Sequence, residues 1–227
     1  MNWSFVMKKI ISFLLCVILL IFSIIYVTAN TKTHEQIADE IIEVARAEVG
    51  YYGDGSNKFN EWYYGAPSGA AWCAVFLGWC ADQVGVLNTA VPKRTTCAGM
   101  MDWYKAKGEY HTVNSDYVPQ KGDIVFFDTD GSGISHHVEF VSENDYFTDE
   151  NGKTCIYTIG GNASDANFEG RDNVIERFRT IDRENAVVMG YAHPSYVQEK
   201  QNTPNFFEKL RAFFERIIEF FRNLFTK

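Results

Sequence analysis

Apolar residues recur with helical spacing in the first half of the chain, then give way to short alternating runs. Ala38, Ile41, Ile42, Ala45 and Val49 form one helical stripe, ending at Gly50. It opens on Thr33-His34-Glu35-Gln36, where Thr33 as N-cap and Gln36 three places later make a capping box. Val75, Phe76, Trp79, Cys80 and Val84 form a second stripe, entered from the small, turn-forming Gly65-Ala66-Pro67-Ser68-Gly69-Ala70. A third helix is predicted over Cys97 to Lys107, with Met100, Met101 and Tyr104 apolar, after a turn at Pro92–Thr96. From there the period shortens, and strands are predicted near 123–128, 136–142, 154–160, 173–179 and 186–192, between Gly, Asn and Asp turns. Helices first and antiparallel strands afterwards predict an α+β fold.

Two stretches stand apart from this body. Lys8-Lys9 precedes an apolar run, Ile10 to Val27, which ends in Thr28-Ala29. A charged start, a hydrophobic middle and small residues at the end describe a signal peptide cut after Ala29, and the length of the run equally describes an uncleaved anchor. So 1–29 is read as signal peptide or membrane anchor, and the body as exported: secreted, or held on the outer face of the cytoplasmic membrane. Cys16 lacks the small residue before it that a lipoprotein requires. At the other end, Thr203 as N-cap and Pro204 as first helical residue open an amphipathic helix over 203–227. Phe206, Phe207, Leu210, Phe213, Phe214, Ile217, Ile218, Phe221, Leu224 and Phe225 line one face, with Arg and Glu on the other. Docking on the body, pairing with another helix and lying on a membrane surface are the three readings of it.

Charge narrows the partners. The chain has a formal net charge of −8, and both ends are basic, so the body between them is strongly acidic. That excludes nucleic acid, which calls for basic patches. Of the five cysteines, Cys16 falls in the leader and none of Cys73, Cys80, Cys97 and Cys155 stands in C-x-x-C spacing, so no zinc site is expected. A Cys80–Cys97 disulfide is a candidate pairing in an exported protein. Asp128-Thr129-Asp130-Gly131-Ser132-Gly133 has oxygen side chains at alternating positions like a calcium loop, but its flanks are strands, so a hairpin turn is expected; no metal and no cofactor is predicted. Tyr51 to Gly65 reads as an aromatic-rich loop able to wall a groove or to pack.

The candidate chemistry sits at the second stripe. Cys73 in Ala71-Trp72-Cys73-Ala74 lies at the first turn of its helix, where unpaired backbone N–H groups and the positive end of the helix dipole favour thiolate. A small buried hydrophobe is the alternative reading of the same residue. A thiolate needs a base, and the base an orienting group. His137 in Ser135-His136-His137-Val138-Glu139-Phe140-Val141 and Asn162 in Ile159-Gly160-Gly161-Asn162 are the candidates. His136 and His137 point to opposite faces of a strand, so only one can meet Cys73, and His136 is read as solvated. His34 is read as a solvated first-turn residue and His193 as structural.

These pieces together resemble a family. Trp72-Cys73-Ala74-Val75-Phe76 with Trp79-Cys80-Ala81, Lys121-Gly122-Asp123-Ile124-Val125-Phe126-Phe127, His137-Val138 with Phe140-Val141, and Ile159-Gly160-Gly161-Asn162 occur in order, and Gly190-Tyr191-Ala192-His193-Pro194 closes the match. From about Ile37 to Pro194 the chain is similar to the CHAP domain, the cysteine- and histidine-dependent amidohydrolase/peptidase group within the NlpC/P60-like, papain-like superfamily. The resemblance implies a papain-like α+β domain over 33–195, with N-terminal helices packed on an antiparallel sheet. It implies Cys73 as nucleophile, His137 as base, Asn162 as the orienting residue, and peptidoglycan as substrate and partner. Two positions depart from the family: an acidic residue is frequent two places before the Asn, where this chain has Gly160, and a small residue after His-Val, where it has Glu139. The expected function is that of an exported amidase or endopeptidase of peptidoglycan. Its alternatives are a thiol peptidase acting on proteins and a catalytically silent wall- or membrane-binding protein.

Overall fold

Thr33 starts the first helix as its sequence requires. Its hydroxyl accepts from the Gln36 N–H at 3.2 Å, and the Gln36 side chain accepts from the Thr33 N–H at 2.9 Å, closing the capping box of α1 (His34–Arg46). This helix buries Ile37, Ala38, Ile41, Ile42 and Ala45 on one stripe. At about 1.5–3 kcal/mol for each large apolar side chain taken out of water, that stripe, not helix propensity, holds α1 in place. The computed structural model describes residues 8, 12, 14–19, 32–53, 55–164, 173–181 and 187–197. Most of the predicted leader and all of the predicted 203–227 helix lie outside the described residues. No helix among the described residues is long and apolar enough to cross a membrane.

The stretch read as an aromatic loop contains a helix. Asn57 caps α2 (Lys58–Tyr64) by accepting from the Asn60 N–H, and Gly65 ends it at a φ of 73°. Its aromatics pack: Phe59 stacks on Trp72 with ring centroids 5.0 Å apart and meets Trp79 edge-on, and Trp62 Nε1 donates to Asp82. The loop reading failed because a helix of 7 residues between turn residues is too short to show a clear period. Helices α3 (Cys73–Gln83) and α4 (Cys97–Lys107) follow at their predicted places.

The strands are β1 (Tyr110–Thr112), β2 (Ile124–Phe127), β3 (His137–Val141), β4 (Phe147–Thr148), β5 (Thr154–Ala163), β6 (Asn173–Thr180) and β7 (Val188–Ala192). They form one antiparallel sheet in the order β1-β7-β2-β3-β5-β4, with β6 paired to β5. The architecture is α+β, helices then an antiparallel sheet, of the papain-like kind. The short β1 and β4 escape the sequence pattern, having three residues and two. Alternation on β2 separates two cores: Ile124 and Phe126 join the helices' apolar residues, while Val125 and Phe127 pack with Val141, Ile156, Val188 and Tyr191 on the other face.

The Lys121-Gly122-Asp123 turn is a structural knot. Asp123 is buried and accepts from Tyr117 Oη at 2.6 Å, the Gln120 N–H at 2.8 Å and His193 Nδ1 at 2.8 Å. His193 is thus structural, as expected. His34 is not solvated: it stacks on His193, ring centroids 4.7 Å apart.

Candidate active site

Cys73 is the first residue of α3, and Trp72 before it supplies no side-chain cap. The first-turn N–H groups are therefore free of a capping side chain, and that of Ala74 acts on the sulfur. Strand β5 lies against this turn because Gly161 has no side chain: a Cβ there would stand 2.3 Å from the Trp72 ring and 2.8 Å from Phe76. The thiol is buried, and Cys97, the first residue of α4, brings its Sγ to 3.3 Å. The hydrogen bond from the Cys97 thiol is the strongest influence on Cys73 and holds it well below the ordinary thiol range. Burial opposes this, and His137 and the Ala74 N–H reinforce it.

His137 opens β3 and His136 stands just before it; their side chains part as strand alternation demands. His136 turns to the Asp128–Gly133 hairpin, its Nδ1 3.4 Å from Asp130. His137 is largely buried and interacts with Cys73. Burial would lower the His137 ring, but the Cys73 thiolate and the Glu139 carboxylate outweigh it and raise the ring to about 9. A thiol held low beside an imidazole held high is a thiolate–imidazolium pair at neutral pH. His137→Ala should silence the hydrolysis expected of Cys73 while His136→Ala retains most of it. The iodoacetamide reaction of Cys73 at neutral pH should slow in the first variant alone, and equal effects in both would overturn the assignment.

The ring's orienting partner is Glu139. Its Oε1 lies 3.0 Å from His137 Nε2, which leaves Nδ1 for Cys73. Glu139 is fully buried yet held ionised: burial pushes its carboxyl up, and His137 and Arg179 pull it well below the usual range. Arg179 donates at 2.7 Å, Arg177 at 3.2 Å and Thr158 Oγ1 at 2.5 Å. The pairing of β5 with β6 sets Arg177 opposite Thr158 and Arg179 opposite Ile156, so both guanidiniums reach the same face. A buried carboxylate costs several kcal/mol unless paired and hydrogen-bonded, and these donors offset that.

Asn162 sits near the end of β5 at a φ of 53° and makes no hydrogen bond to His137. In this geometry the group bonded to the ring is the Glu139 carboxylate and not the Asn162 side chain. In the sequence Glu139 stands only as a departure from the family pattern; the signal for its place beside the ring is an acid two positions after the histidine on a strand, hence on its face. The candidate Cys80–Cys97 disulfide is not formed: Cys80 is a buried free thiol on α3, and Cys97 faces Cys73 instead. Asp128, Asp130 and His136 bring ligand atoms within 4.8 Å of one another. Asp128, however, already accepts from the N–H groups of Asp130, Gly131 and Gly133, as a turn carboxylate does.

Residues 63–162 match the family model of the CHAP domain. A solved structure described as "The crystal structure of Ly7917" is similar at 16% identity and a TM-score of 0.40, over 69% of this chain and 62% of that one. The chain therefore spans less than two thirds of that protein's length. No curated protein matches the chain.

Proposed function

Because the chain carries a CHAP domain, of the papain-like cysteine peptidase and amidase superfamily, we propose that it is an exported hydrolase that cleaves amide bonds of peptidoglycan through the Cys73 thiolate. The domain itself supports a cysteine amidohydrolase or peptidase. The observation that carries the reading is the depressed Cys73 thiol at an uncapped helix start, set beside a raised His137.

The chemistry follows from these groups. The Cys73 thiolate attacks the amide carbonyl carbon. The oxyanion that forms is stabilised by the Cys73 backbone N–H at the start of α3. His137, protonated on Nδ1, gives that proton to the departing amine, and a thioester remains. Water then attacks the thioester, His137 takes a proton from it, and the carboxylic acid leaves as Cys73 returns to thiolate. Glu139 keeps the ring's Nε2–H engaged throughout, so that Nδ1 alone exchanges protons with the reaction.

Peptidoglycan as substrate rests on the bonds on which CHAP domains commonly act and on the predicted leader, which would carry the body to the wall. The test is digestion of purified peptidoglycan with the wild-type chain and with Cys73→Ser, followed by mass spectrometry of the muropeptides. New amine and carboxyl ends that depend on Cys73 are expected; their position separates amidase from endopeptidase. Cleavage of protein substrates with intact peptidoglycan would instead identify a thiol peptidase. Wall binding without cleavage of either would identify a silent binding protein.

A further inference from the structure

The mechanism uses one thiol, yet two face each other at 3.3 Å, each the first residue of its helix and each buried. We propose that Cys73 and Cys97 form an oxidative modification site: a low-molecular-weight disulfide converts them to a Cys73–Cys97 disulfide, which caps the nucleophile until a thiol reduces it. The proposal rests on the geometry of the two sulfurs, not on the identity of the substrate.

The pair is close to bonding. A disulfide needs about 2.05 Å between sulfurs, so the helix starts must close by little more than about 1 Å. Electrostatics orders the steps. The Cys73 thiolate attacks one sulfur of the small disulfide and expels one equivalent of thiolate, leaving a mixed disulfide. Cys97 is at first a poor nucleophile, because its hydrogen bond to the negative Cys73, and then burial, push its thiol up. Once Cys73 is capped, the charge that held the Cys97 proton has gone. Cys97 then releases its proton and attacks the Cys73 sulfur, and the second thiolate leaves. The two protein thiols lose two electrons and two protons, and the small disulfide takes them up as two thiols. Cys80 lies about two turns further along α3, on the order of 10 Å from Cys73 along the axis; it is fully buried, with its thiol pushed well up chiefly by burial, and is no competitor. An exported protein meets the oxidising conditions this reaction needs.

The test treats the full chain with oxidised glutathione, then reads iodoacetamide labelling of Cys73 and maps disulfide-linked peptides by mass spectrometry. In the wild type, labelling should be lost, a Cys73–Cys97 linked peptide should appear, and dithiothreitol should restore labelling. Cys97→Ala, and Cys97→Ser as a variant that keeps the side chain's size, should accumulate a lasting glutathione adduct on Cys73. Cys80→Ala should still form the linked peptide. A persistent adduct on wild-type Cys73 with no linked peptide, or labelling that glutathione disulfide does not diminish, would overturn the proposal. Absence of hydrolysis by the reduced wild type would count against the hydrolase reading alone, because the linked peptide is read without any substrate.

Discussion

Cys73→Ser is expected to abolish hydrolysis, with a loss on the order of 10³-fold or more in kcat, while the circular dichroism spectrum and melting temperature stay near those of the wild type. Three influences single out this sulfur: the Cys97 thiol, His137 and the Ala74 N–H each favour its thiolate, against the opposing effect of burial. A serine hydroxyl at the same place is far less acidic, and the same surroundings cannot ionise it. The exchange is close in volume, so the packing of the turn against Gly161 and Trp72 should survive. Cys80 provides the contrast, since burial, and then the Glu48 charge, raise its thiol and outweigh its own backbone N–H and Lys58. A Cys73→Ser protein that retained a tenth or more of the wild-type kcat would remove Cys73 from the nucleophile's role.

The second large effect concerns Glu139. Glu139→Gln should lower kcat by about 10²-fold, the usual scale for a general acid–base group that has lost its tuning. The pH profile should move with it. In the wild type, loss of the raised His137 proton, near 9, is expected to set the alkaline limb. Removing the Glu139 charge removes one of the two groups that hold this proton against burial, so the alkaline limb must shift to lower pH. A merely structural role for Glu139 would change the yield or melting temperature without moving that limb. The structure also offers a reciprocal rescue. Extending the β3–β5 register from Phe140↔Ile159 sets Glu139 opposite Gly160, and a Cβ on Gly160 would stand 2.5 Å from Glu139 Cγ. The two side chains compete for one volume, so Gly160→Glu alone should impair the protein through a clash and a second buried charge. The double variant Glu139→Gly with Gly160→Glu returns one carboxylate to that volume, beside Arg177, Arg179 and His137. It should regain activity over Glu139→Gly, and a double variant no better than the worse single one would reject the exchange. Asn162→Ala should cost less than Glu139→Gln, because Asn162 makes no bond to the ring.

The same exchange explains why half of the site was legible from the chain alone. Cys73 announces itself because a small-residue turn running into an apolar stripe places a thiol at a helix start. His137 announces itself by its frame on a strand. The third group did not, because its two signals read as unrelated departures: a missing acid at Gly160 and an extra one at Glu139. Only the strand pairing makes them a single substitution across a ladder. Cys97 was legible as a residue of the third helix but not as the neighbour of Cys73, since nothing in spacing reports where two helix starts meet.

Local patterns determined what local forces control. The capping box of α1, the period of α3, the alternation of β2 and β3 and the opposite facing of His136 and His137 all follow from backbone geometry within a few residues. Tertiary structure decided whatever depends on partners distant in sequence. Strand register chose Glu139 as the ring's partner and gathered Arg177 and Arg179 around it. The packing of α3 against α4 chose Cys97, not Cys80, as the sulfur that tunes Cys73. Charge in a buried place is governed by the groups within a few ångströms, and the fold, through long-range pairing, selects those groups.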